Sequence, residues 1–324
     1  MILTFVEQAA GRPDRSSLEA LTFARRLAAA QGVPLGAVLF GPAAEVAAAV
    51  LGAYGVVEAH LVEPAGLDAY APAVWGRSVA QLVGASPPTV VLAAGTDRGQ
   101  EVLAYAAAML DAPMAANCID VRPGEPFEVT RQRWGGSLLE KARLDGPVRL
   151  LTVAEHVTQP EEAAVPTTVS ISRFTPTLSE ADLRVRVIGR VAPEPGKVSL
   201  ADARVVVGGG RGVGGAEAFS ELEELAGLLH GAVGVSRVVT SAGWRPHSQQ
   251  VGQTGTRIAP DIYIACGISG AIQHIVGCKA AKAILVINTD REAPIMSRAA
   301  YAVIGDLHTV VPAVSAEIRR RQAL

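Results

Sequence analysis

Apolar positions along this chain fall in short runs that alternate with alanine-rich stretches at helical spacing. Ile2 to Glu7, Pro34 to Phe40, Ala59 to Val62, Thr89 to Ala93 and Val148 to Val153 read as strands. Between them, Leu18 to Gln31, Ala43 to Leu51, Ala69 to Leu82 and Gly99 to Leu110 read as helices. Continuous apolar strands that alternate with helices predict a mainly parallel sheet covered on both faces. The pattern shifts to short polar-apolar alternation around Gly135-Gly136, which predicts a hairpin of Thr130 to Trp134 and Ser137 to Arg143.

From Thr158 to Val198 the chain is rich in proline and charge. Two alternating runs within it, Thr168 to Phe174 and Leu183 to Val191, are candidates for edge strands of the first domain. Ala192-Pro193-Glu194-Pro195-Gly196 is the clearest boundary, giving an N-terminal α/β domain over 1–192, a linker over 193–200 and a second domain over 201–324. In the second domain, Arg204 to Val207, Gly234 to Val239, Asp261 to Cys266, Ala283 to Ile287 and Ala302 to Ile304 read as strands between helices. The expected fold is therefore two α/β domains, the C-terminal one a doubly wound, flavodoxin-like parallel sheet whose ligands sit at the C-terminal strand ends.

Composition narrows the function. A net charge of −2 gives no electrostatic basis for holding nucleic acid or an anionic membrane, so neither is expected as a partner. No apolar run is long enough to span a bilayer, and direct membrane insertion is not expected. Cys118, Cys266 and Cys278 lack metal-ligand spacing and read as buried, reduced thiols of a cytoplasmic protein. The chain opens on Ile2-Leu3-Thr4-Phe5-Val6, which reads as a strand rather than a targeting segment. Arg319-Arg320-Arg321 reads as a solvated helix end.

The most informative stretch runs from Val251 to Asn288. A strand leads through Gly267-Ile268-Ser269-Gly270 into a helix, which collects unpaired N–H groups at one spot suited to a phosphate. Ser269 is typed for the N-cap, which would put Gln273 and His274 in the first helical turns. A second glycine turn, Gly208 to Gly215, satisfies G-x-G-x-x-G. Two readings of it stand: a steric strand-to-helix turn, or a phosphate site in which Arg211 meets the anion. An NAD site is disfavoured, because the next strand carries no acidic residue at its end to hold a ribose.

These residues also carry a family resemblance. Gly209-Gly210-Arg211-Gly212, Ser236-Arg237, Gln250-Val251-Gly252-Gln253-Thr254-Gly255, Gly267-Ile268-Ser269-Gly270-Ala271-Ile272-Gln273-His274, Asn288, Glu292-Ala293-Pro294 and Gly305-Asp306-Leu307 occur in the order and spacing of the alpha subunit of electron transfer flavoprotein, which the chain resembles from Gly209 onward. The N-terminal half matches only in length and general pattern. Departures are mild: Thr289 stands where lysine is common, and Met296 and His308 where phenylalanine is common.

The resemblance implies bound FAD. It places Arg237, with Ser236, against the flavin ring, where a fixed positive charge favours electron density on the ring. It puts the Thr254 hydroxyl at flavin N5 with Gln253 beside it, and His274 at the C2 carbonyl. Asn288, Asp306 and Leu307 would hold the adenosine end, and Arg211, Val251, Gly252, Gly267, Ser269, Gly270, Ala271, Ile272 and Gln273 complete the predicted cofactor contacts. The implied partners are a beta subunit carrying AMP or a second FAD, flavin dehydrogenases as electron donors, and a quinone oxidoreductase or another acceptor.

The chain shows no nucleophile elbow, no paired-carboxylate motif and no His/Cys metal cluster, so no catalytic residue and no metal ligand is predicted. Chemistry then belongs to the cofactor, which suits an electron carrier. A stand-alone FAD- or NAD(P)-dependent oxidoreductase, or a cofactor-free α/β adaptor, are the alternatives from other classes.

Overall fold

The computed structural model of the chain describes residues 1–64, 69–185, 187 and 198–322. It divides into two compact units, Met1–Arg190 and Val191–Leu324. The predicted linker segment Pro193 to Gly196 lies outside the described residues.

In the first unit the elements follow in the order β1 (Ile2–Val6), β2 (Gln8–Ala9), β3 (Arg12–Pro13), α1 (Arg15–Gln31), β4 (Leu35–Phe40), α2 (Ala44–Val50), β5 (Glu58–Val62), α3 (Pro72–Ala85), β6 (Val90–Ala94), α4 (Asp97–Met109), β7 (Met114–Arg122), β8 (Glu128–Arg133), β9 (Leu138–Arg143), β10 (Arg149–Val153) and β11 (Ser170–Phe174). The main sheet has the order β11-β5-β4-β1-β6-β10-β7-β8-β9. It is parallel except where β8 pairs with β7 and β9. Side chains alternate between its faces: Ile2 and Val6 enter one apolar core, Leu3 and Phe5 the other.

Besides the short β2-β3 pair, one strand of the main sheet was not legible. The backbone of β7 is irregular, with Asn117 at φ 58 and register shifts in its pairings with both β10 and β8, which breaks the alternation a sequence reading depends on. Thr168 to Phe174 does supply an edge strand, β11 beside β5. Leu183 to Val191 is not borne out where it is described. Leu183, Arg184 and Val185 form no strand, because the Asp182 carboxylate binds Arg77 of α3 at 3.1 Å and Ser179, holding this stretch in turns. Of the remainder only Val187 lies within the described residues.

The second unit contains β12 (Val205–Gly209), α5 (Phe219–Leu228), β13 (Ala232–Val235), α6 (Arg237–Ser241), β14 (Ile262–Cys266), α7 (Ile272–Cys278), β15 (Ala283–Asn288), β16 (Tyr301–Ile304) and α8 (Leu307–Gln322). Its strand order β13-β12-β14-β15-β16, all parallel, is the flavodoxin-like 2-1-3-4-5 arrangement. Val206, Tyr263, Ala265, Ile284 and Val286 fill the core on one face; Val207, Ile264, Cys266 and Ile287 pack with Phe219, Leu222 and Leu225 on the other.

The predicted strand Gly234 to Val239 requires correction. It ends at Val235, and Ser236 occupies the N-cap position of α6 with φ −77 and ψ 156. The two valines that suggested a longer strand lie on a helix, with Val239 buried and Val238 39% exposed. Among the described residues, no helix is long and apolar enough to cross a membrane.

Candidate functional site

Because all five strands of the second unit are parallel, their C-terminal ends lie along one sheet edge. The segments that leave it are Gly210-Arg211-Gly212, Ser236-Arg237, Gly267 to Ala271, Thr289 onward, and Gly305-Asp306. Apart from the 251–254 loop, the start of α7, Asn288 as the last residue of β15 and Leu307 as the first of α8, the predicted cofactor residues lie on these segments. The topology thus gathers positions spread over a hundred residues of sequence.

The two glycine turns pack on each other. Gly210 N–H donates to Cys266 O at 2.9 Å and Gly212 N–H to Gly267 O at 3.1 Å. A Cβ on Gly210 would fall 2.2 Å from Gly267 O, so close backbone approach accounts for glycine there. Arg211 stands exposed between them. α5 begins only at Phe219, so the turn does not feed a helix directly as a dinucleotide fingerprint does.

Ser269 is not the N-cap; Ala271 is. Gly270 at φ 82 bends the chain between Ser269 and the helix, and a Cβ on it would lie 2.5 Å from Ile295 Cβ. The Ser269 carbonyl accepts from Ile295 N–H at 3.1 Å while its side chain is exposed. The N–H groups of Ser269, Gly270, Ala271, Ile272 and Gln273 find no acceptor among the described residues. With only 7 residues in α7, any anion attraction here comes from these N–H groups more than from a long helix dipole.

A loop from Gln250 to Thr256 is pinned beside β13 and α7. Val251 N–H donates to Val235 O at 2.8 Å, and Gln253 N–H to Gln273 O at 2.8 Å. Val251 and Gly252 are buried, while the Gln253 and Thr254 side chains are exposed. Gln250, 2% exposed, donates through Nε2 to Thr254 Oγ1 at 2.9 Å and accepts from Thr240 Oγ1 at 2.7 Å. Sequence reading placed Gln250 in the motif but gave it no role, since nothing local signals that a loop glutamine is buried.

His274 enters α7 as its third residue and is 7% exposed. Burial disfavours the imidazolium and pushes its pKa down to about 4; the Val251 backbone offsets part of this without making a well-formed hydrogen bond. Nε2 lies 2.8 Å from the Tyr263 hydroxyl, and Nδ1 is buried with no partner. The buried Ser236 Oγ is likewise unpartnered. Burial pushes the thiols of Cys118, Cys266 and Cys278 up to about 12; all three are free and buried.

At the far side, the Asn288 amide is engaged in turns. Its Nδ2 donates to Ile268 O at 3.0 Å and its Oδ1 accepts from Asp290 N–H at 3.1 Å. Asp306 Oδ1 accepts from His308 N–H at 3.0 Å at the start of α8. The Leu307 side chain is buried in the core, which leaves only its backbone to face a ligand.

Buried polar groups normally have partners, so two orphans, Ser236 Oγ and His274 Nδ1, beside exposed Arg211 and Arg237 and a row of free N–H groups suit an anionic ligand with a polar ring. Residues 199–279 match a family model described as the electron transfer flavoprotein FAD-binding domain, and residues 2–179 match the electron transfer flavoprotein domain. Electron transfer flavoprotein subunit alpha of Thermoanaerobacterium thermosaccharolyticum is 33% identical over 322 residues, covering 98% of both chains. The subunit of the same name from Mycobacterium tuberculosis is 36% identical and covers 99% of each. With both units matched and relatives aligned end to end, the chain belongs to the alpha-subunit family of electron transfer flavoproteins, and its second unit is an FAD-binding domain.

Proposed function

We propose that the chain is the FAD-bearing alpha subunit of a heterodimeric, cytoplasmic electron carrier. FAD lies extended along the C-terminal edge of the second sheet. Its pyrophosphate meets Arg211 and the N–H groups from Ser269 to Gln273, with Gly267 and Gly270 shaping the turn. Its ring system faces Ser236, Arg237, Gln253, Thr254 and His274, and its adenosine end reaches Asn288, Asp306 and the backbone of Leu307. The observation that carries this reading is the convergence of these groups on one sheet edge with two buried polar atoms left unpartnered.

Bound FAD supplies one- and two-electron redox chemistry; the chain supplies placement, charge and hydrogen bonds. Arg237 places positive charge beside the ring. Thr254 accepts from Gln250, which leaves its own proton for a ligand acceptor. His274, neutral across the physiological range, acts as a hydrogen-bonding group rather than a charge.

A beta subunit completes the pocket and carries AMP or a second FAD. Electrons arrive from acyl-CoA-type dehydrogenases, or from NADH in a bifurcating assembly, and leave to a quinone oxidoreductase or another acceptor. The test is electron delivery to the co-expressed heterodimer. Acyl-CoA together with catalytic amounts of an acyl-CoA dehydrogenase should bleach its flavin, the acyl-CoA supplying the electrons, whereas acyl-CoA alone should not. Bleaching by acyl-CoA without a dehydrogenase would favour a stand-alone oxidoreductase.

A further inference from the structure

Tyr263 reads in sequence as a core residue of β14, and its ring is fully buried. Its hydroxyl lies 2.8 Å from His274 Nε2. Room for that hydroxyl is made by Gly208, where a Cβ would sit 2.2 Å from the phenol oxygen. No other hydrogen bond is made by this hydroxyl to a described residue.

A neutral imidazole carries one proton, on Nδ1 or on Nε2. If Nε2–H donated to the phenol oxygen, the tyrosine proton and the Nδ1 lone pair would both be buried without partners. If the phenol donates to Nε2, only Nδ1–H is left over. Leaving one buried polar group unpaired costs less than leaving two. We infer that Tyr263 is a positioning residue of the flavin site: its hydroxyl donates to Nε2, fixes His274 as the Nδ1–H tautomer, and makes the unpartnered Nδ1 a donor toward the ligand. The tautomer follows from the protein alone; that Nδ1–H meets the flavin rests on the FAD placement proposed above.

Tyr263→Phe keeps the ring and its packing but removes the donor. Two-bond proton–nitrogen spectra of histidine-labelled heterodimer, with and without FAD, read the tautomer directly, and His274→Gln identifies the His274 signals by their loss. The wild type should hold the proton on Nδ1 in both forms. In Tyr263→Phe the proton should shift toward Nε2, and the first reduction potential of bound FAD should fall. A wild-type proton on Nε2 would overturn the inference, even if the variant did not fold. So would a folded Tyr263→Phe protein that keeps both the wild-type tautomer and the wild-type potential. Failure of the wild type to bind FAD would count against the FAD placement instead, since the tautomer is read without flavin.

Discussion

The Gln250 amide donates to Thr254 Oγ1 at 2.9 Å, joining a buried side chain to an exposed one at the sheet edge. The acceptor role occupies one side of the Thr254 hydroxyl and aims its proton away from Gln250. Thr240 holds the other end of the amide, although its single proton serves either Gln250 Oε1 or Arg237 O at one time. Replacing Gln250 with alanine removes both contacts and leaves a buried gap. Stability should fall by about 1–3 kcal/mol and the flavin potential should move. Urea unfolding paired with redox titration checks this; an unchanged potential would remove Gln250 from the site.

Arg237 gives a signed electrochemical prediction. On the proposed placement, replacing it with alanine withdraws positive charge from beside the ring, so the first reduction potential should fall. The side chain is exposed in the chain alone, which argues for the low end of charge effects, about 1 kcal/mol or on the order of 40 mV for one electron. Spectroelectrochemical titration of the wild type and Arg237→Ala in the same buffer decides it, and equal potentials would place the guanidinium elsewhere.

Much of this arrangement was legible in sequence. The rhythm of β12, β14, β15 and β16 was plain because each is a short apolar run bounded by glycine or polar residues, and the glycine turns lie at the sheet edge proposed to hold the ligand. The α6 helix was hidden because Val238 and Val239 carry strand propensity while tertiary structure places them in a helical turn. The Ser269 N-cap failed because Gly270 takes a left-handed conformation that one residue type alone does not reveal. Tyr263 and Gln250 were missed for a shared reason: both are buried side chains whose polar contacts, to His274 and to Thr240 and Thr254, leave no mark in the sequence pattern.

Histidine burial predicts a pH dependence. His274 has a folded pKa of about 4 against an unfolded value near 6.5, so the unfolded chain binds more protons between them. Its contribution is fully present above about pH 6.5 and is lost as pH falls toward 4, a difference of roughly 3 kcal/mol at most. His60, lowered by burial, acts with the same sign. Denaturation of flavin-free wild type and His274→Gln at pH 7.5 and pH 5 should show a smaller acid loss in the variant; parallel losses would contradict this assignment.

Two substitutions separate cofactor binding from folding. Ser269→Asp places a negative charge on an exposed side chain at the proposed pyrophosphate turn and should abolish FAD binding by like-charge repulsion. The first unit should stay folded and still pair with the beta subunit in a pull-down. Gly270→Ala should instead weaken the second unit itself, because its Cβ would meet Ile295 at φ 82. Retention of flavin by Ser269→Asp, or loss of beta-subunit pairing, would break this division of labour.

The central claim, an extended FAD along the edge from Arg237 to Asp306, is tested most directly by flavin selectivity. Co-expressed heterodimer stripped of flavin and reconstituted with either FAD or FMN is desalted, and the retained flavin is quantified by absorbance. FAD should be retained and FMN lost, because FMN offers nothing to the adenosine side at Asn288 and Asp306. Equal retention of the two flavins, or retention of neither, would contradict the placement.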